Sequence, residues 1–104
     1  SLTVLLLSDA TPEVQRALVA DGQQVEAHVL KLPHHGARDG LDPELLKMAD
    51  PEVAVVSVGK NNRYGHPAPE TLKLLSGLSV YRTALNGTIE VVATADGYWV
   101  KTSR

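Results

Sequence analysis

One aspartate and three histidines follow apolar runs in this chain. Asp9 comes after Leu2–Leu7, His34 and His35 come after Val25–Leu32, and His66 lies in the loop after Val53–Val58, near Asn61, Asn62 and Tyr64. Carboxylate oxygen and imidazole nitrogen are standard ligands for zinc, manganese or iron, and imidazole also moves protons near neutral pH. Each residue has a plainer role when taken alone. Asp9 suits the turn ahead of a helix. His34 and His35, between Pro33 and Gly36, suit an exposed loop, and His66 before Pro67 suits a shaped turn. Lys31, two residues before Pro33, is a solvated cation unless it points to the same edge as these groups. His28 lies within an apolar run and reads as a satisfied structural histidine.

The elements that must position these groups alternate between strand and helix, which argues for an α/β layer architecture. Leu2–Leu7 reads as a buried strand. Thr11 is placed to cap a helix, with Pro12 at its first position and Glu13 in its first turn. That helix runs to about Asp21 with Val14, Ala17 and Leu18 on its buried face, and Gly22 stops it. Val25–Leu32 is the second strand. A short helix then starts at Asp42-Pro43, with Leu45, Leu46 and Met48 facing inward. Val53–Val58 is the most apolar stretch and reads as a central strand. A helix over Pro69–Leu75 ends by Gly77. Ser79–Thr83, Thr88–Thr94 and Tyr98–Thr102 read as a β-meander turned at Asn86-Gly87 and Asp96-Gly97. If the first three strands are parallel neighbours, the loops carrying Asp9, His34-His35 and His66 open on one edge of the sheet, where open α/β sheets bind ligands.

Composition narrows the possibilities. The 104 residues make one domain or less, and 43% are hydrophobic, enough for a modest core. Aromatic residues are 4% with no Phe, so that core must be Leu, Val and Ala. A net charge of −2 gives no basic footprint for free nucleic-acid binding. The absence of Cys excludes disulfides and thiolate metal sites. No apolar run approaches the roughly 20 residues of a membrane span, so no direct membrane contact is expected. Ser1 opens straight into Leu2–Leu7 without a basic leader, which reads as a fragment rather than a signal peptide.

The ordered pattern is more specific than its parts. Leu5-Leu6-Leu7-Ser8-Asp9, the stretch from Ala27 through Pro33-His34-His35-Gly36, Pro51 to Gly59, Asn62-Arg63-Tyr64-Gly65-His66-Pro67, and Val80-Tyr81-Arg82-Thr83 with Asn86-Gly87-Thr88-Ile89 follow one another along nearly the whole chain. Together they resemble the C-terminal half of the metallo-β-lactamase-like domain of ComEC-type competence proteins, which internalise DNA.

The resemblance implies half of an αββα fold: parallel β-α-β units followed by a meander, as a single partial domain over residues 1–104. It implies that Asp9 bridges two divalent metals, zinc or manganese, and that His34 or His35 ligates one of them. His66 or Lys31 would stabilise a developing oxyanion or protonate a leaving oxygen. The implied reaction is metal-dependent hydrolysis of the DNA backbone, single- or double-stranded, by a soluble domain of a bacterial membrane-associated protein. The superfamily's His-x-His-x-Asp-His motif belongs to the front half of the fold and is absent here. This chain alone is therefore expected to hold metal weakly and to be inactive. Ser8 stands where the family usually has Gly, Ala37 where it has Ser, and Ala84 where an acidic residue is frequent. The alternative reading is a non-catalytic half-domain for packing, docking or homodimerisation through the surface that its N-terminal half would cover.

Overall fold

The computed structural model describes residues 2–22, 24–59 and 66–104. Four strands, β1 (Val4–Leu6), β2 (Val29–Lys31), β3 (Val53–Val56) and β4 (Ser79–Arg82), form one sheet in the order β1-β2-β3-β4. Every neighbouring pair is parallel, with Leu5, Leu30, Ala54 and Val80 in register across the sheet. Helices α1 (Pro12–Ala20), α2 (Pro43–Ala49) and α3 (Pro69–Leu74) make the crossovers. A short helix α4 (Thr83–Asn86) leads to a separate antiparallel hairpin of β5 (Ile89–Thr94) and β6 (Gly97–Thr102). The α/β class expected from the alternation of elements is what the chain adopts.

Local signals set the helix starts as expected. Thr11 Oγ1 accepts from the Val14 amide ahead of Pro12, and Asp42 Oδ2 accepts from the Leu45 amide ahead of Pro43. Each bond satisfies an amide that has no partner within its own helix.

The core lies on one face of the sheet. Leu30, Ala54 and Val56 pack there with Leu45, Leu75 and Leu41, and Leu5 and Val80 join from the edge strands. As the composition requires, this core is Leu, Val and Ala. Successive strand residues point to opposite faces, and on the second face Val29 and Val53 are buried whereas Val4 and Leu6 are 43% and 64% exposed.

Several expectations are corrected. The first strand is an edge with an open face, not a buried strand, because only β2 pairs with it among the described residues. In α1, Val14 and Ala17 are exposed, Leu18 is half-buried, and the residue fully buried is Gln15. Met48 is exposed on α2. The meander is reduced to a hairpin: Ser79–Arg82 joins the parallel sheet as β4, opposite Val53–Val56. Asn86-Gly87 is not a hairpin turn but the end of α4, with Gly87 at φ 69°. The second turn is also displaced by one residue, since Thr94 pairs with Gly97 and leaves Ala95-Asp96 as the loop. Val53–Val58 is central, as expected, although regular pairing ends at Val56. His28 is structural as expected, its Nδ1 accepting from the Thr3 amide at 3.0 Å.

Candidate functional site at the carboxyl edge of the sheet

The loops that leave β1 and β2 are built from uncommon backbone. Ser8, His34 and His35 adopt φ of 49°, 51° and 56°, and Gly36 follows at 79°. Non-glycine residues seldom adopt this left-handed region, because Cβ crowds the following carbonyl. Such strain gathers at functional sites and persists only where surrounding contacts over-determine it.

The surrounding contacts are specific. The Ala10 amide donates to Leu7 O at 2.8 Å and closes the turn that carries Asp9. His34 Nε2 lies 3.2 Å from Ala10 O, and His35 Nδ1 lies 2.7 Å from Ser57 O. A carbonyl only accepts, so each of these ring nitrogens carries the proton. In the neutral form the two rings would be opposite tautomers, His34 with its lone pair on Nδ1 and His35 on Nε2. Gly36 O accepts from the Ala68 amide at 2.9 Å, and Ala37 O accepts from Thr71 Oγ1 at 3.1 Å. The loop after β2 is thus tied to the loop after β1, to the end of β3 and to the start of α3.

These ties bring Ser8, Asp9, Lys31, Leu32, His34, His35 and Ser57 around one cleft of about 160 Å³. Asp9, Lys31 and His35 are exposed, and His34 is half-buried. Four of the residues singled out from the sequence therefore share a cleft at the carboxyl ends of parallel strands. His66 is not among the residues lining it. Its neighbour Pro67 packs against Gly36, where an added Cβ would meet Pro67 Cβ at 2.7 Å. Asn61, Asn62, Tyr64 and Gly65 lie outside the described residues.

Sequence reasoning missed two positions. Gln15 is buried under the cleft's loops, bonding to the backbone of both. Thr83 Oγ1 accepts from the Val58 amide and donates to Val58 O, each at 2.8 Å, and so fixes the chain just past β3. Only the Arg82-Thr83 pair within the resemblance hinted at the second. Nothing in a hydrophobic pattern signals the first.

The donor set can be tested against a metal. A carboxylate and an imidazole with a free lone pair are suitable ligand types for zinc or manganese. Ligating histidines typically donate their other N–H to a carbonyl or carboxylate, as His35 does to Ser57. Among the described residues, however, no three His, Asp or Glu side chains come together as a metal-holding group. The cleft fits part of a ligand shell and requires further ligands from elsewhere.

Among the described residues, no helix is long and apolar enough to cross a membrane. No family model and no solved structure matches the chain. Over 88 residues, 83% of its length, the chain is 36% identical to ComE operon protein 3 of Bacillus subtilis (strain 168), and this span covers 11% of that protein. The chain is thus a homologue of a short segment of a much longer protein that carries the name of a competence operon.

Proposed function

We propose that this chain forms one wall of a metal-dependent phosphodiesterase site that acts on DNA during its uptake. One observation carries the reading: Asp9, Lys31 and His35 share a cleft at the carboxyl edge of the sheet, with the His35 ring held by Ser57 O so that Nε2 is left to bind. Two similarities support it: the ordered likeness to the ComEC-type domain, and the 36% identity to ComE operon protein 3. The remaining ligands come from the front half of a complete metallo-β-lactamase-like domain.

In this reading Asp9 and His35 hold the metal, His35 rather than His34 because its ring is exposed at the cleft whereas His34 is half-buried. His34 spends its Nε2–H on Ala10 O and keeps the Asp9 turn against the loop after β2. A divalent metal, when bound, supplies positive charge to polarise a phosphate and to acidify water. Lys31 sets an ammonium at the cleft, where it attracts the phosphate backbone and stabilises charge that develops on a non-bridging oxygen. The chain's net charge of −2 makes this local cation the more important for holding a polyanion.

The test uses the intact protein, titrated with Zn2+ or Mn2+ and assayed for DNA cleavage. Asp9→Ala and His35→Ala are expected to weaken metal binding by about 10-fold or more and to abolish cleavage. Lys31→Ala should leave metal affinity in place and slow cleavage. Metal affinity and cleavage unaffected by Asp9→Ala would overturn the reading. A non-catalytic packing or docking role is favoured instead by the open face of β1, where Val4 and Leu6 are exposed. It would be supported by an intact protein that neither binds metal nor cleaves DNA and yet loses assembly on Leu6→Lys.

A further inference from the structure

Gln15 is 0% exposed, and its side chain makes three hydrogen bonds. Its Nε2 donates to Ala10 O at 2.9 Å and to Gly40 O at 2.8 Å, and its Oε1 accepts from the Asp42 amide at 2.7 Å. Both amide protons are used, so the orientation of the group is fixed. All three partners are backbone atoms of two different loops. Ala10 follows Asp9 directly. Gly40 closes the turns that begin at His34, through Ala37 N to His34 O and Gly40 N to Ala37 O, and an added Cβ at Gly40 would lie 3.5 Å from His34 Cβ.

We infer that Gln15 is a positioning residue that sets the spacing between Asp9 and the His34-His35 loop. The inference rests on the metal-site reading above, since that spacing matters only if both loops serve one ligand. A carboxamide is suited to this task. It offers two donors and an acceptor in one plane, and it has no charge to be desolvated. An apolar residue of similar size would fill the space but leave Gly40 O and the Asp42 amide without these bonds and Ala10 O with the His34 ring alone, and buried polar groups do not stay unpaired without the backbone shifting. The two loops would then separate at the point where Asp9 and His35 must share a metal. No other described side chain bonds to both loops in this way; the nearest equivalent is the His34 ring, which is itself part of one loop.

The experiment measures Zn2+ affinity of the intact protein beside its unfolding midpoint, in wild type, Gln15→Met and Leu75→Val. The last variant loosens the core away from the loops, with Leu75 1% exposed. Zinc affinity reduced about 10-fold or more by Gln15→Met, at a stability where Leu75→Val binds as wild type does, is the expected result. Equal zinc affinity in the two variants would overturn the positioning role while leaving the metal-site reading intact. A wild type that binds no zinc would remove that reading, and this inference with it. A wild-type measurement covers a Gln15→Met protein that fails to fold. Coupling between sites is reciprocal, so saturating Zn2+ should slow exchange of the Asp42 amide, which Gln15 holds, and leave the Val100 amide in the hairpin unchanged. Identical Asp42 exchange with and without zinc would reject the role.

Discussion

At the residue scale, the cleft combines side chains that bear chemistry with buried groups that hold them in place. Asp9, Lys31, His34 and His35 stand out by type and by their place after apolar runs, and the fold brings all four to one cleft. Gln15 does not stand out. A glutamine between Val14 and Arg16 reads as solvent-facing, and its burial depends on carbonyls 5 and 25 residues away. The preference between His34 and His35 likewise follows from which ring is exposed at the cleft, which no spacing reveals. Ser8 gives a prediction at this scale. It holds φ 49° without the freedom of glycine, so Ser8→Gly relieves about 1–2 kcal/mol of strain and, after the roughly 0.5–1 kcal/mol of entropy glycine loses on folding, should stabilise the fold by about 0.5–1 kcal/mol. Thermal unfolding of the two proteins checks this; a lower midpoint in Ser8→Gly would show that the Ser8 side chain makes a compensating contribution.

At the element scale, helix starts were the most readable feature and strand partners the least. Thr11-Pro12 and Asp42-Pro43 cap helices through local bonds, so sequence alone places them. Asn86-Gly87 was misassigned for a physical reason. A two-residue hairpin and a helix C-terminus both call for a left-handed backbone, and the same dipeptide satisfies either. What decides is Thr83, whose bonds to Val58 carry β4 alongside β3 before the chain turns. The contrast between Gly36 and Gly22 belongs to this scale too. Both have positive φ, 79° and 71°, but only Gly36 meets another element, with a Cβ there 2.7 Å from Pro67 Cβ and 3.1 Å from its Cα. Gly22→Ala should therefore cost about 1 kcal/mol from backbone strain alone. Gly36→Ala should cost about 2–4 kcal/mol, because the loop after β2 must also move off Pro67. Urea unfolding would show the two midpoints well separated; similar midpoints would mean that the Gly36–Pro67 contact yields easily.

At the scale of the whole molecule, the parallel sheet and the β5–β6 hairpin are separate sheets, and Tyr98 links the hairpin to the amino edge of the parallel one. Tyr98 donates to Glu52 Oε1 at 2.7 Å and stacks at a tilt on His28, with ring centroids 5.7 Å apart. The sequence could mark Tyr98–Thr102 as a strand but not this docking, which joins residues 46 apart in the chain. Burial pushes the Tyr98 phenol up from 10.0 to about 12, with the hydrogen bond and charge of Glu52 and then the charge of Tyr81 adding to the shift. The sign follows from proton binding. Between pH 10 and about 12 the unfolded chain has lost this proton while the folded chain keeps it, so the unfolded state gains stability as pH rises. The contribution of Tyr98 is fully present below pH 10 and is lost by about pH 12. Tyr98→Phe removes both the bond and the titration. Because Glu52 is exposed and Tyr98 only half-buried, the variant should lose only about 0.5–1 kcal/mol at neutral pH. The difference in melting temperature between wild type and Tyr98→Phe should then shrink across that alkaline window. Tyrosinate absorbance should show one phenol titrating late in wild type and missing from the variant. Melting curves that stay equally separated at every pH would mean that Tyr98 does not couple the hairpin to Glu52, and that the two units are held together elsewhere.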